Sequence, residues 1–165
     1  MPANKPKPVL LVDVDGVISL FGFEPDSRPA GRYFSVDGIA HYLSATAGRH
    51  LRDLAPHFEL VWCSGWEDRA NVYLPYALEL ADPLPHLTFA GPPGEADRHW
   101  KLDAIDAYAG PTRPLAWIDD DHSNCETWAQ QRPGPTLLIA TDPQKGITEE
   151  HFDQLLRWAE SLPDE

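Results

Sequence analysis

The stretch Val9-Leu10-Leu11-Val12-Asp13-Val14-Asp15-Gly16-Val17 constrains this chain more than any other. Its aliphatic run is that of a strand buried on both faces, and a glycine after two carboxylates breaks it at its C-terminal end. In open α/β sheets, ligands bind at that end. Side chains alternate along a strand, so Asp13 and Asp15 fall on one side, and a turn at Gly16 aims both into one crevice. Two carboxylates that close repel each other unless a cation or a shared proton intervenes. The pattern predicts a divalent metal, and Mg²⁺ suits it, taking hard oxygen ligands and commonly only one or two carboxylates beside water and phosphate oxygens.

Three further stretches follow in order: Leu60-Val61-Trp62-Cys63-Ser64, then Lys101, then Leu115-Ala116-Trp117-Ile118-Asp119-Asp120. Asp119 and Asp120 close another buried-looking strand, and adjacent like charges there again ask for a cation. Ser64, ending an apolar strand before Gly65, suits either a phosphate oxygen or a helix N-cap. Lys101 opens an amphipathic segment, where a cation is unfavourable for the helix dipole and needs a partner; Arg98 is its nearby competitor.

Together these stretches resemble the four motifs of haloacid dehalogenase-like (HAD) phosphohydrolases, with Asp13-Val14-Asp15-Gly16-Val17 as DxDG(T/V). A DxDG alone is shared with calcium loops; four motifs in sequence carry the resemblance. It implies a Rossmann-like α/β fold, a mostly parallel sheet in the order 3-2-1-4-5 with helices on both faces. By the same resemblance Asp13 is the nucleophile that forms an aspartyl-phosphate. Asp15 protonates the leaving group and then activates water, and its backbone carbonyl contributes to the metal. Ser64 holds a phosphate oxygen, Lys101 offsets the charge of Asp13 and the phosphoryl group, and Asp119 with Asp120 completes the Mg²⁺ site. Asp121 is open between metal and helix cap. The implied activity is Mg²⁺-dependent hydrolysis of a phosphomonoester. The alternative is a phosphate- or metal-binding regulatory module without turnover, similar to a phospho-accepting receiver domain. The DxD on the first strand and the acidic pair on the fourth favour the hydrolase, as does Asp15, since a module that only accepts phosphate has little need of a general acid.

The 165 residues suit a single domain. Intervals from Asp15 to Ser64 and from Ser64 to Lys101 leave no space for a large cap once core elements are subtracted. The expected member is therefore capless or minimally capped, with a flap over 17–45. Within that flap Ile18 to Phe21 and Arg32 to Val36 read as a β-hairpin, and Ile39 to Leu43 as a further short strand. Helices are expected over 46–55, in two short pieces over 66–81 with Pro75 starting or kinking a helix, from Lys101 to Ala109, over 123–131 and over 148–162. Strands are expected over 58–63, 87–89, 114–118 and 136–139, and Gly91 to Gly94 as a loop.

With 13 Lys and Arg against 26 Asp and Glu, the net charge of −13 disfavours generic binding to nucleic acid or an anionic membrane. A small phosphorylated substrate is expected, with a nucleotide or nucleic-acid end still compatible. Between Ser27 and Arg52 the balance reverses: Arg28, Arg32, Arg49 and Arg52 meet only Asp37. Arg32 and His41 from this segment, with Gly65, Trp66 and Arg69 after Ser64, are the candidate substrate contacts. Two cysteines, Cys63 and Cys125, make no disulfide scaffold. No apolar stretch approaches about 18 residues, so a cytoplasmic protein is expected; an oligomer is compatible with the sequence.

Overall fold

The computed structural model describes residues 6–89 and 99–163. The loop expected at Gly91 to Gly94 and the competitor Arg98 lie outside the described residues. Four strands form the central sheet: β1 (Val9–Val12), β5 (Glu59–Trp62), β6 (Leu115–Asp119) and β7 (Thr136–Ala140), in the order β5-β1-β6-β7 with every neighbour parallel. β1 lies at the centre and all its side chains are buried, as its unbroken aliphatic run requires.

Alternation along these strands divides the core in two. Leu10, Val12, Leu60, Trp62, Ala116 and Ile118 face α1 (Ala47–Leu54), α2 (Ala70–Ala77) and α5 (Glu149–Ser161). Val9, Leu11, Val61, Cys63, Leu115 and Trp117 face α3 (Leu102–Ala109) and α4 (Glu126–Gln131). Helices therefore cover both faces. Each fully buried Leu, Val or Ile contributes about 1.5–3 kcal/mol, and Trp62 and Trp117 are the largest such side chains. Thr148 starts α5 with a capping box: its hydroxyl accepts from the His151 backbone N–H, and the His151 ring accepts from the Thr148 N–H. Among the described residues no helix is long and apolar enough to cross a membrane.

Three expectations change. The strand expected over 87–89 is a single bridge, His86 beside Trp62, made by the Trp62 N–H to the Pro85 carbonyl and the Leu87 N–H to the Trp62 carbonyl. Pro83 and Pro85 lack the N–H groups that a longer ladder would use. The two pieces over 66–81 are a 3₁₀ turn (Glu67–Arg69) and α2, which starts at Ala70 and not at Pro75, carries Pro75 inside it and ends two residues later. In the flap the hairpin joins β3 (Gly31–Val36) to β4 (Ile39–Ser44), and β2 (Ser19–Leu20) pairs on the other side of β4. Asp37 and Gly38 have φ of 52° and 82°, the two left-handed residues that a tight primed hairpin turn needs.

Candidate active site

Register and alternation build the site. Val12 stands opposite Ile118, so Asp13 and Asp119 fall opposite each other where the strands end, and the Asp13 N–H donates to the Ile118 carbonyl at 3.1 Å. By alternation both share the sheet face of Leu11 and Trp117, the face that α3 covers. Lys101 is the N-cap of α3 and meets both carboxylates there. Its Nζ donates to Asp119 Oδ2 at 2.7 Å and to the Cys63 carbonyl at 2.9 Å, and lies 3.2 Å from Asp13 Oδ1. All three charged side chains are buried.

Burial pushes the Asp13 carboxyl upward; the Lys101 charge opposes this and the neighbouring Asp119 reinforces it. Burial acts on Asp119 in the same sense, but the charge and hydrogen bond of Lys101 and the Asp121 N–H outweigh it and hold Asp119 below the ordinary carboxylate range. Lys101 is pushed to about 12, because Asp13 and Asp119 together overcome its own burial. Asp120 rises to about 6 through burial and then through the hydrogen bond and charge of Asp119. Such a cluster favours an added cation. Asp13, Asp119 and Asp120 offer ligand oxygens within 4.8 Å of one another, a hard donor set that fits a divalent cation of the Mg²⁺ or Ca²⁺ kind.

Gly16 makes this packing possible. Its φ is +86°, and a Cβ there would stand 2.6 Å from the Asp120 carboxyl carbon. The turn it makes is fixed by the Gly16 N–H donating to the Ser19 carbonyl at 2.7 Å, and by the Thr141 hydroxyl donating to the Gly16 carbonyl at 2.7 Å. Asp121 is not in the group of Asp13, Asp119 and Asp120, and accepts from the Ser123 N–H at 2.9 Å. That side-chain turn, followed by Asn124 at φ 64°, delays α4 from the expected Ser123 to Glu126.

Two cavities lie near the ends of the strands and the flap. One, about 260 Å³, is lined by Asp13, Asp15, Lys101, Asp119, Asp120 and Asp121, with His99 and Trp100. The other, about 270 Å³, lies under the flap tip and is lined by Val36, Asp37, Ile39, His41, Gly65, Trp66 and Arg69. The Trp66 indole N–H donates to Asp15 Oδ2 at 3.2 Å, and its ring centre is 4.9 Å from that of His41. The Arg69 guanidinium pairs with Asp37, and Tyr73 donates to the same carboxylate at 2.8 Å, tying the flap tip down.

Of the residues singled out in the sequence, Asp13, Asp15, Lys101, Asp119 and Asp120 thus share one cavity, and His41, Gly65, Trp66 and Arg69 share the next. Ser64 is buried at the end of β5, its hydroxyl accepting from the Trp66 N–H at 3.1 Å. Arg32 lies elsewhere: its guanidinium donates to the Ala77 carbonyl at 2.9 Å, at the end of α2, in a third cavity of about 770 Å³. Two contributors escaped the sequence reading. Trp117 donates from its indole to Asp119 Oδ2 at 3.1 Å, a contact that its place two residues before Asp119 on one strand could have suggested. His99 accepts from the Lys101 backbone N–H at 3.1 Å and lies 3.0 Å from the Asp121 carbonyl, fixing the approach to α3.

A parallel α/β sheet with this acidic cluster at the C-terminal ends of adjacent strands, and a lysine buried against it, is the architecture of a HAD-type hydrolase. Residues 9–152 match the HAD domain in Swiss Army Knife RNA repair proteins, and the chain belongs to that family. No curated protein matches it.

Proposed function

We propose that the protein hydrolyses phosphomonoesters through an aspartyl-phosphate on Asp13. The observation that carries this reading is the register that sets Asp13 opposite Asp119 with the Lys101 ammonium 3.2 Å and 2.7 Å from them. Phosphoryl transfer needs a nucleophile, a proton donor for the leaving oxygen and positive charge on the equatorial oxygens. Asp13 supplies the first and Lys101 part of the third. Asp15, exposed in the same cavity, supplies the proton and afterwards takes one from the attacking water. Mg²⁺, held by Asp13, Asp119, Asp120 and the Asp15 carbonyl, would neutralise further phosphoryl charge. Ser64 orients a phosphate oxygen, and His41, Gly65, Trp66 and Arg69 contact the remainder of the substrate.

The net charge of −13 supports a small phosphorylated substrate. The family's description as RNA repair proteins favours a second reading, a terminal phosphate on an RNA strand. A strand end presents one phosphomonoester and needs no long basic track. Phosphate release with and without Mg²⁺ from small phosphomonoesters and from RNA oligonucleotides phosphorylated at either end tests both readings. Metal-dependent release by the wild type and none by Asp13→Asn is expected; release undiminished in Asp13→Asn contradicts the assignment.

A further inference from the structure

Asp15 is exposed, unlike Asp13 and Asp119, so packing does not fix where its carboxylate points. A proton donor has to meet the leaving oxygen at hydrogen-bond distance. The contact that aims it comes from Trp66, whose indole N–H donates to Asp15 Oδ2 at 3.2 Å. Trp66 is itself held: its backbone N–H donates to the Ser64 hydroxyl at 3.1 Å, and its ring packs on His41, whose Nδ1 lies 3.2 Å from the Ser19 hydroxyl. Trp66 also lines the cavity of about 270 Å³ under the flap tip.

We propose that Trp66 is a positioning residue for Asp15. The inference rests on the phosphatase reading above. In the first step an oxygen of Asp13 bonds to phosphorus as the bond from phosphorus to the leaving oxygen breaks. That oxygen keeps the electron pair and takes the proton from Asp15, departing as a neutral alcohol and leaving Asp15 as a carboxylate. Because Trp66 engages Oδ2, Oδ1 carries the proton and faces the leaving oxygen. The class of substrate this favours is the phosphate ester of an alcohol, such as a sugar hydroxyl, whose departure depends on protonation.

Dependence on the leaving group tests this. Trp66→Phe keeps a ring and removes the N–H. Measured as kcat/KM, its loss on glycerol phosphate is expected to exceed its loss on nitrophenyl phosphate by about tenfold, a fraction of the 10²–10⁴ that a general acid contributes. Nitrophenolate departs without a proton, so activity on that ester also reports whether the variant is folded. Asp15→Asn should show a larger discrimination in the same sense, and adding Trp66→Phe to it should add none. Equal losses on the two esters, or an undiminished Trp66 effect in the Asp15→Asn background, overturn the inference. Release of phosphate from neither ester by the wild type would instead contradict the phosphatase reading.

Discussion

The Lys101 ammonium donates to Asp119 Oδ2 at 2.7 Å while standing 3.2 Å from Asp13 Oδ1, and all three side chains are buried. One buried cation therefore serves two buried carboxyl groups. Taking away one partner of such a cluster leaves charge uncompensated in a poorly solvated place, at a cost of about 3–5 kcal/mol. Lys101→Met, which keeps the length and apolar stem, is expected to lose stability on that scale in urea denaturation without metal. A loss under about 1 kcal/mol would mean the pair is effectively solvated.

The same imbalance gives Asp13→Asn the opposite sign. Burial and Asp119 raise the Asp13 pKa in the folded state. A carboxyl with a raised folded pKa contributes fully below its unfolded value and loses that contribution as pH rises through the folded value. At neutral pH without metal, Asp13→Asn should be at least as stable as the wild type, by about 1 kcal/mol, and its advantage should shrink as pH falls toward about 4, where the unfolded wild-type carboxyl takes up the proton that the folded one already holds. A variant less stable than the wild type at neutral pH would show that the ion pair with Lys101 outweighs desolvation.

Gly16 admits no side chain. With φ at +86° and a built Cβ 2.6 Å from Asp120, Gly16→Ala must strain the backbone and push Asp120 from the cluster. A stability loss of about 1–3 kcal/mol is expected, with weakened Mg²⁺ binding in calorimetry. Unchanged metal affinity would remove Asp120 from the proposed ligand set.

His50 gives a pH dependence away from the site. It is buried, with its ring centre 5.5 Å from that of Phe152 and Nε2 3.9 Å from the Glu149 carboxylate. Burial holds its pKa below the ordinary 6.5 even though Glu149 pulls upward. Such a group is charged more readily when unfolded, so its contribution is complete above that ordinary value and declines as pH falls below it. The stability advantage of the wild type over His50→Gln should shrink between pH about 7.5 and about 5. An advantage constant across that range would show no linked proton uptake.

What the sequence made legible was whatever period and position decide. The Val9 to Val12 run announced a central strand. Parity along β1 and β6 then placed Asp13 and Asp119 on the face where Lys101 opens α3, and ordered motifs can carry that information. The flap pairing was less legible, because Ile18 to Phe21, Arg32 to Val36 and Ile39 to Leu43 are all plausible partners. The choice fell to Asp37-Gly38, whose turn conformation favours β3 with β4. The single bridge at His86 depended on prolines 83 and 85 denying donors to an otherwise apolar segment. Arg32 looked suited to an anionic substrate, yet its guanidinium closes the carbonyl end of α2. Trp66 illustrates the reverse: the sequence offers it only as a substrate contact, and its contact with Asp15 arises once the 3₁₀ turn after β5 is in place.

The most direct measurement is the site of phosphorylation during turnover. Acid-quenching the wild type with Mg²⁺ and a turned-over phosphomonoester, followed by peptide mapping by mass spectrometry, should find one phosphoryl group on Asp13, and none in Asp13→Asn. Turnover with the phosphoryl group on another residue, or undiminished in Asp13→Asn, would contradict the aspartyl-phosphate mechanism.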